Sequence, residues 1–253
     1  MRALTAAPLL AALLALPACA QDAPQTACEE VRFDGAPFVV CAFARDADIR
    51  LMLDGADGER LLTLEAAQGS LEAGVTPLMA MNAGMYHADR APVGLYIEGG
   101  RMRAPIQLKP GPGNFGMVPN GVFWSDGGRV HVSESEEFAA GESAAAFATQ
   151  SGPMLVMDGA LHPRFERFSE SRKRRNGVGV DADTVFFAIS DAPVNFHHFA
   201  RLFRDELGAA DALFLDGTVS RIHAPEIGRA ETGGRFGPMV VVVASGPDDP
   251  QEP

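Results

Sequence analysis

The sequence predicts an α+β (mixed α/β) fold, a single sheet-rich domain with a few packed helices. Three observations predict it. Short apolar, β-branched runs recur along the chain, each bounded by Gly, Pro, Asn or Asp, as strands are. Several are apolar on both parities, which predicts strands covered on both faces. Only one segment, from Val194 to Leu207, shows clear three- and four-residue spacing.

The first residues stand apart from the fold. "MRALTAAPLLAALLALPACAQ" has one early cation, Arg2, an apolar run from Ala6 to Ala15, then small residues. This is the layout of an export signal over residues 1–20, too short to span a membrane. Two processing readings stand side by side: cleavage after Ala20, or "LPAC" as a lipoprotein box with a lipid anchor at Cys19, the one membrane attachment expected. Both place the mature chain outside the cytoplasm, in the periplasm or anchored in the cell envelope. Both also remove Cys19 from thiol chemistry. Cys28 and Cys41 remain, and an even pair in an oxidising compartment reads as a disulfide, with two unpaired thiols as the alternative. Two cysteines exclude a Cys-based zinc site.

The expected strands follow in order: "FVVCAF" (38–43), "IRLML" (49–53), "TPLMAM" (76–81), "VGLYIE" (93–98), "GVFW" (121–124), "MLVM" (154–157), "TVFFAIS" (184–190), "ALFLD" (212–216) and "MVVVV" (239–243). The helix from Val194 to Leu207 takes Asp191 or Ser190 as its cap, Pro193 in its first turn and Gly208 at its end. "GESAAAFATQ" reads as a short second helix, and "ERLLTLEAAQG" as helix or strand. Asp181 and Asp183 read as hairpin-turn residues. The tail, 245–253, is polar and Pro-rich and reads as disordered. No repeat or long linker divides the chain, so one domain spans 28–244.

Net charge is -12, which opposes nucleic acid, whose binding needs a broad basic face. Against that background "SRKRRNGVGV" (171–180) sets Arg172, Lys173, Arg174 and Arg175 side by side. Three other places carry small and polar residues where a strand begins or ends. "MNAGMYH" holds Asn82, Gly84 and Tyr86; "TQSGPMLV" holds Gln150, Ser151 and Gly152; "LDGTVS" holds Asp216, Gly217 and Ser220. Glycines let a ligand approach the backbone, and exposed amides accept anionic oxygens. Each segment alone also reads as a turn or a solvated loop. His197 and His198 are adjacent and do not make a metal pair. There is no nucleophile elbow, no phosphate-binding P-loop and no dinucleotide fingerprint. No cofactor is predicted, and the sequence leaves a metal undecided.

Taken in order, "MNAGMY", "NFG", "NGVFW", "TQSGPMLV", "RNGVGV", "LDGTVS" and "GPMVVVV" resemble the phosphodiester glycosidase domain family, across residues 28 to 244. The resemblance is to its compact bacterial exported branch. It implies a hydrolase that cleaves the glycosidic bond of sugar-1-phosphodiesters, with a glycosyl phosphodiester or envelope glycan as partner. Carried over position by position, it implies catalytic roles for Asp216, Asn82 and Arg175. Gly84, Tyr86, Ser151, Gly152, Arg172, Asn176, Gly217 and Ser220 would bind substrate. Many relatives have two further glycines where this chain has Thr218 and Val219, a departure that narrows the freedom of the loop and leaves the sugar and the phosphate-side group open.

The chemistry suits these residues: an arginine forks onto phosphate oxygens, and a carboxylate meets the positive charge of an oxocarbenium-like state. Arg175 is then the phosphate contact, Arg172 a helper at the rim, and Lys173 and Arg174 solvated. Glu98 and Glu170 stand as candidates for a second acid. Two other readings stay open: a non-catalytic envelope protein binding phosphorylated or acidic glycans, and a phosphodiesterase cutting the P–O bond.

Overall fold

The computed structural model describes residues 28–141 and 144–244. The expected export signal, Cys19 and the expected tail lie outside the described residues. The chain begins with β1 (Cys28–Phe33), β2 (Ala36–Ala44), β3 (Ile49–Met52), α1 (Leu64–Gly69) and β4 (Pro77–Asn82). Next come β5 (Tyr96–Glu98), β6 (Arg101–Ala104), β7 (Gly121–Ser125), β8 (Val130–Glu134), α2 (Ser135–Ala140) and β9 (Phe147–Ser151). Then follow β10 (Met154–Met157), β11 (Ala160–Leu161), β12 (Asn176–Val180), β13 (Thr184–Ser190) and α3 (Phe196–Arg201). The last elements are β14 (Asp211–Asp216), β15 (Ile222–Ala224), β16 (Arg229–Ala230) and β17 (Met239–Val243).

These strands form three sheets: β1-β2-β13-β12-β14-β10-β11, β16-β15-β4-β17-β3 and β6-β5-β9-β7-β8. Every pairing described is antiparallel, as in β12 with β13 and in β17 with β4. One face of each sheet turns to a shared core. Val178, Phe187 and Leu213 of the first sheet meet Met79, Met81 and Val240 of the second and Phe123 and Phe147 of the third. The first sheet is apolar on its other face too, where Phe38, Ala188 and Phe214 pack under Phe199 and Phe203. The double-sided apolar runs in the sequence are therefore strands covered on both faces. Two glycines of β12 let this outer helix close on the sheet: a Cβ at Gly179 would stand 2.6 Å from the Phe203 ring.

That helix starts later than the sequence suggests. Val194 is extended, exchanging backbone hydrogen bonds with Lys173 (3.1 and 2.9 Å), so the chain cannot coil until Asn195. Asn195 is the cap, its side chain accepting from the His198 amide at 2.9 Å, and Asp191, Ser190 and Pro193 lie outside. After α3 the coil widens into a π turn over Leu202–Glu206, and Gly208 ends it at a φ of +68°. "ERLLTLEAAQG" resolves as helix α1, capped by Thr63. "GESAAAFATQ" is not a helix where it is described: Phe147–Ser151 is the fully buried strand β9, and the short helix, α2, precedes it. Asp181 does make the expected turn, its carboxylate accepting from the amides of Asp183 and Thr184.

Cys28 and Cys41 face each other in the β1–β2 register and form the disulfide. The crosslink spans 13 residues of chain and restricts the unfolded ensemble. Replacing both cysteines by serine should lower unfolding stability by about 2–4 kcal/mol, read from a urea midpoint. An unchanged midpoint would mean the hairpin holds without the bond.

Candidate functional site

The site begins where the β12–β14 ladder slips. Along most of its length Val178 opposes Leu213 and Gly177 opposes Phe214, but Asn176 opposes Asp216, leaving Leu215 as an extra residue. Such a bulge re-aims the side chains beside it. Here the Asp216 carboxylate points to another sheet, accepting from the Asn82 side-chain amide at 3.0 Å, and the Leu215 carbonyl accepts from the Ser151 hydroxyl at 2.7 Å.

Two buried amides organise the rest. Asn82 ends β4, and its Oδ1 accepts from the Arg221 backbone N–H at 2.9 Å while its Nδ2 holds Asp216. Asn176 begins β12; its Nδ2 donates to the Asn82 carbonyl at 2.7 Å, and its Oδ1 accepts from the Asp216 N–H at 2.8 Å and the Ser220 hydroxyl at 3.1 Å. Ser220 also donates to the Gly217 carbonyl, closing the loop after β14. Asn82, Asn176, Ser151 and Ser220 are fully buried, and all their side-chain polar atoms are engaged in this network.

Asp216 is the ionisable member of the network, and its carboxylate has no cation partner among the described residues. It accepts from Asn82 and, at 2.7 Å, from the Gly217 N–H. Burial pushes its pKa up to about 6, and those two donors offset part of the rise. Tyr86 lies close enough that burial, with the Asp216 charge adding to it, raises the phenol to about 12. The Tyr86 hydroxyl donates to the Arg235 carbonyl at 3.3 Å, and the Arg90 guanidinium lies 5.2 Å from its ring centre. Gly84 serves close strand packing, since a Cβ there would stand 2.8 Å from the Gln150 carbonyl. Gly152 does the same against Asn120.

The basic run splits. Arg175 is buried, its guanidinium 3.6 Å from the Phe196 ring centre and 5.4 Å from that of Phe214. Its Nε donates to the Val194 carbonyl and one Nη to the Ser171 carbonyl, both at 2.9 Å. The other, Nη1, is buried without a partner among the described residues. No carboxylate among the described residues compensates this charge, and burial lowers the guanidinium to about 10. The structure brings Arg175 to the strand start beside Asn176, yet no hydrogen bond joins its guanidinium to Asp216 or Asn82. Arg172 and Lys173 are exposed. Arg174 is not solvated as expected: it forks onto Glu231 at 2.9 and 2.6 Å and reaches Asp191 at 3.2 Å, with Arg229 bound to the same two acids.

Of the two candidate second acids, Glu98 pairs with Arg103 at 3.1 Å, and Glu170 is exposed. Neither belongs to the hydrogen-bond network of Asp216. The sequence did not reveal the aromatic seat of Arg175 or the Leu215 bulge; the apolar–acidic spacing of Phe214 and Asp216 was the one visible sign. A cavity of about 620 Å³ opens at the opposite ends of β12 and β14, where Glu134, Glu137, Asp158 and Asp211 give it the wrong sign for a phosphodiester.

Fold and cluster together define a sheet-rich domain in which the Asp216 carboxyl, without a cation partner among the described residues, is held where strands of different sheets meet. The chain belongs to the phosphodiester glycosidase family, whose model (NAGPA) matches residues 76–223, a span that takes in Asn82, Ser151, Arg175 and Asp216. It is 36% identical over 176 residues to the Escherichia coli K12 protein YigE, covering 69% of each chain. It also shares its fold with the catalytic domain of zebrafish N-acetylglucosamine-1-phosphodiester alpha-N-acetylglucosaminidase, described as auto-inhibited by its pro-peptide. That match has a TM-score of 0.57 and 14% identity, and covers 85% of this chain and 81% of that one. A hypothetical protein from Synechocystis matches with a TM-score of 0.51 and 14% identity, covering 86% of this chain and 61% of that one. Family membership makes the chain hydrolase-like at the family level.

Removing a donor to a carboxylate disfavours its charged form. Asn82→Ala should therefore move the Asp216 carboxyl above about 6, read by carbon-13 NMR titration of labelled aspartate. An unmoved titration would mean the Asn82 contact does not hold the charge.

Proposed function

We propose that this protein cleaves the glycosidic bond of a sugar-1-phosphodiester, with Asp216 as the essential carboxylate. The observation that carries the reading is the Asp216 carboxyl itself, partly buried, unpaired with any cation and gripped by Asn82 and the Gly217 amide. A carboxylate that neutralised an arginine would be spent. This one is free to meet positive charge at an anomeric carbon.

In the reaction the bond from the anomeric carbon to the phosphate oxygen breaks, and its electron pair stays on that oxygen. Water adds to the anomeric carbon as the Asp216 carboxylate takes one of its protons, giving free sugar and a phosphate monoester, and the proton then passes from Asp216 to solvent. The departing phosphate monoester is a weak base and needs little protonation, which fits a site where no second carboxyl hydrogen-bonds to Asp216 among the described residues. Charge gathers on the phosphate as the bond breaks, and a buried N–H with no other partner is a suitable donor for it. The Arg175 Nη1 is such a group. Tyr86 lies near enough to feel the Asp216 charge, and the Gly217 N–H holds the Asp216 carboxylate.

We also propose that the protein works outside the cytoplasm, a setting in which the Cys28–Cys41 bond persists. Cell fractionation tests this; recovery with cytosolic markers would refute it.

Asp216→Asn should lower kcat/KM for an N-acetylglucosamine-1-phosphodiester by about 10³-fold or more. In the wild type, kcat/KM should rise with pH through about 6 and then level, because the ionised carboxyl is the working form. Equal rates in the two proteins would remove Asp216 from the chemistry. Diester binding without turnover by either would favour a glycan-binding role.

A further inference from the structure

A second cavity, about 400 Å³, adjoins the site between the loop after β4 and the Gly/Pro-rich loop after β6. Its wall includes His87, Val93, Gln107, Lys109, Pro112 and Phe115. Three links place it beside the Asp216 cluster. His87 directly follows Tyr86, the phenol that feels the Asp216 charge. Gln107 is held at its N–H and carbonyl by the Gln150 side chain, at 2.9 and 2.7 Å, and Gln150 directly precedes Ser151. The Phe115 carbonyl lies 3.4 Å from where a Cβ on Gly152 would stand.

The loop that forms the outer wall is shaped, not slack. The Gly111 amide donates to the Gly116 carbonyl at 3.3 Å, and the Met117 amide to Asn114 at 3.1 Å. A side chain at Gly116 would collide with the Gly111 backbone, so the loop folds onto itself there. Gln150 anchors its start, and Asn120 anchors Phe115 by donating to its carbonyl at 3.0 Å.

The chemistry of the wall is uneven. It has no carboxylate, although the protein carries a net charge of -12. Lys109 is one of only two lysines in the chain, and it and His87 both line this cavity. Neither is in a salt bridge among the described residues, whereas arginines on other surfaces pair with acids, as Arg50 does with Asp48 and Arg229 with Asp191. Val93, Pro112 and Phe115 supply apolar area next to them. A neutral leaving group would use the apolar wall and leave the ammonium without a counter-charge; an anionic one with an organic body uses both.

We propose that this cavity is a leaving-group subsite for the second phosphate of a glycosyl diphosphate, with Lys109 and His87 meeting the phosphate and Val93 and Phe115 the group beyond it. The proposal rests on the glycosidase reading above and narrows its substrate class: sugar at Asp216, first phosphate at the bond to be broken, second phosphate in the cavity.

The test compares UDP-N-acetylglucosamine with the methyl phosphodiester of the same sugar 1-phosphate, using wild type and the double variant Lys109→Ala, His87→Ala. Both side chains are exposed, so the variant should fold, and a melting curve checks it. Wild type should favour the diphosphate in kcat/KM by about 10-fold or more, and the variant should lose that preference, mainly through a higher KM. A preference equal in both proteins, or none in wild type, overturns the subsite while leaving the glycosidase reading intact. Should wild type cleave neither compound, that reading fails, and calorimetric binding of inorganic pyrophosphate decides the subsite alone. Binding weakened about 10-fold in the variant supports it; equal or undetectable binding overturns it.

Discussion

Two side-chain amides hold this protein's working end together. Asn82 and Asn176 sit on strands of different sheets, and between them they bond to each other, to Asp216 through its carboxylate and its N–H, to Ser220 and to the Arg221 backbone. Buried amides are costly unless every donor and acceptor is used, and here the cost is offset by satisfying them on one another. The apolar core can hold the three sheets face to face, but it is not directional. The amides fix how the strand ends meet, and so where the Asp216 carboxyl points. The raised pKa of Asp216 follows from the same arrangement, since the packing that positions it also strips water from it.

Arginine chemistry divides by depth. Arg174 and Arg175 are neighbours in sequence just before β12, and their side chains part. One meets Glu231 and Asp191 and ties the start of β12 to the β15–β16 hairpin; the other enters an aromatic seat with no acid at all. A buried cation without a counter-charge is expensive. Stacking on Phe196 and two carbonyl acceptors recover part of that cost, and Nη1 stays without an acceptor among the described residues.

Much of this was legible from residues. The double-sided apolar runs became strands of the first two sheets, Cys28 and Cys41 met, and Asn82, Asn176, Asp216, Gly217 and Ser220 converged. Strands such as Arg101–Ala104 and Arg229–Ala230 were hidden because they are short, carry arginines and lack an apolar run, each pairing only with the neighbouring strand before it. The start of α3 was misjudged because Pro193 suits a first turn in isolation, whereas the Val194–Lys173 bridge, a tertiary contact, keeps that stretch extended. The Leu215 bulge was invisible for a related reason: register is a property of two strands, and one sequence run does not specify it. Arg174 was read as solvated because its acids, Asp191 and Glu231, lie 17 and 57 residues away.

The central claim is that the bond broken is the one from the sugar, not the one from phosphorus. Turnover of a sugar-1-phosphodiester in water enriched with oxygen-18, followed by mass analysis of the released phosphate monoester, tests it most directly. The account predicts a monoester without label, because water adds to the anomeric carbon and the bridging oxygen leaves with phosphate. A monoester carrying one labelled oxygen would contradict it, placing the attack at phosphorus and making the protein a phosphodiesterase.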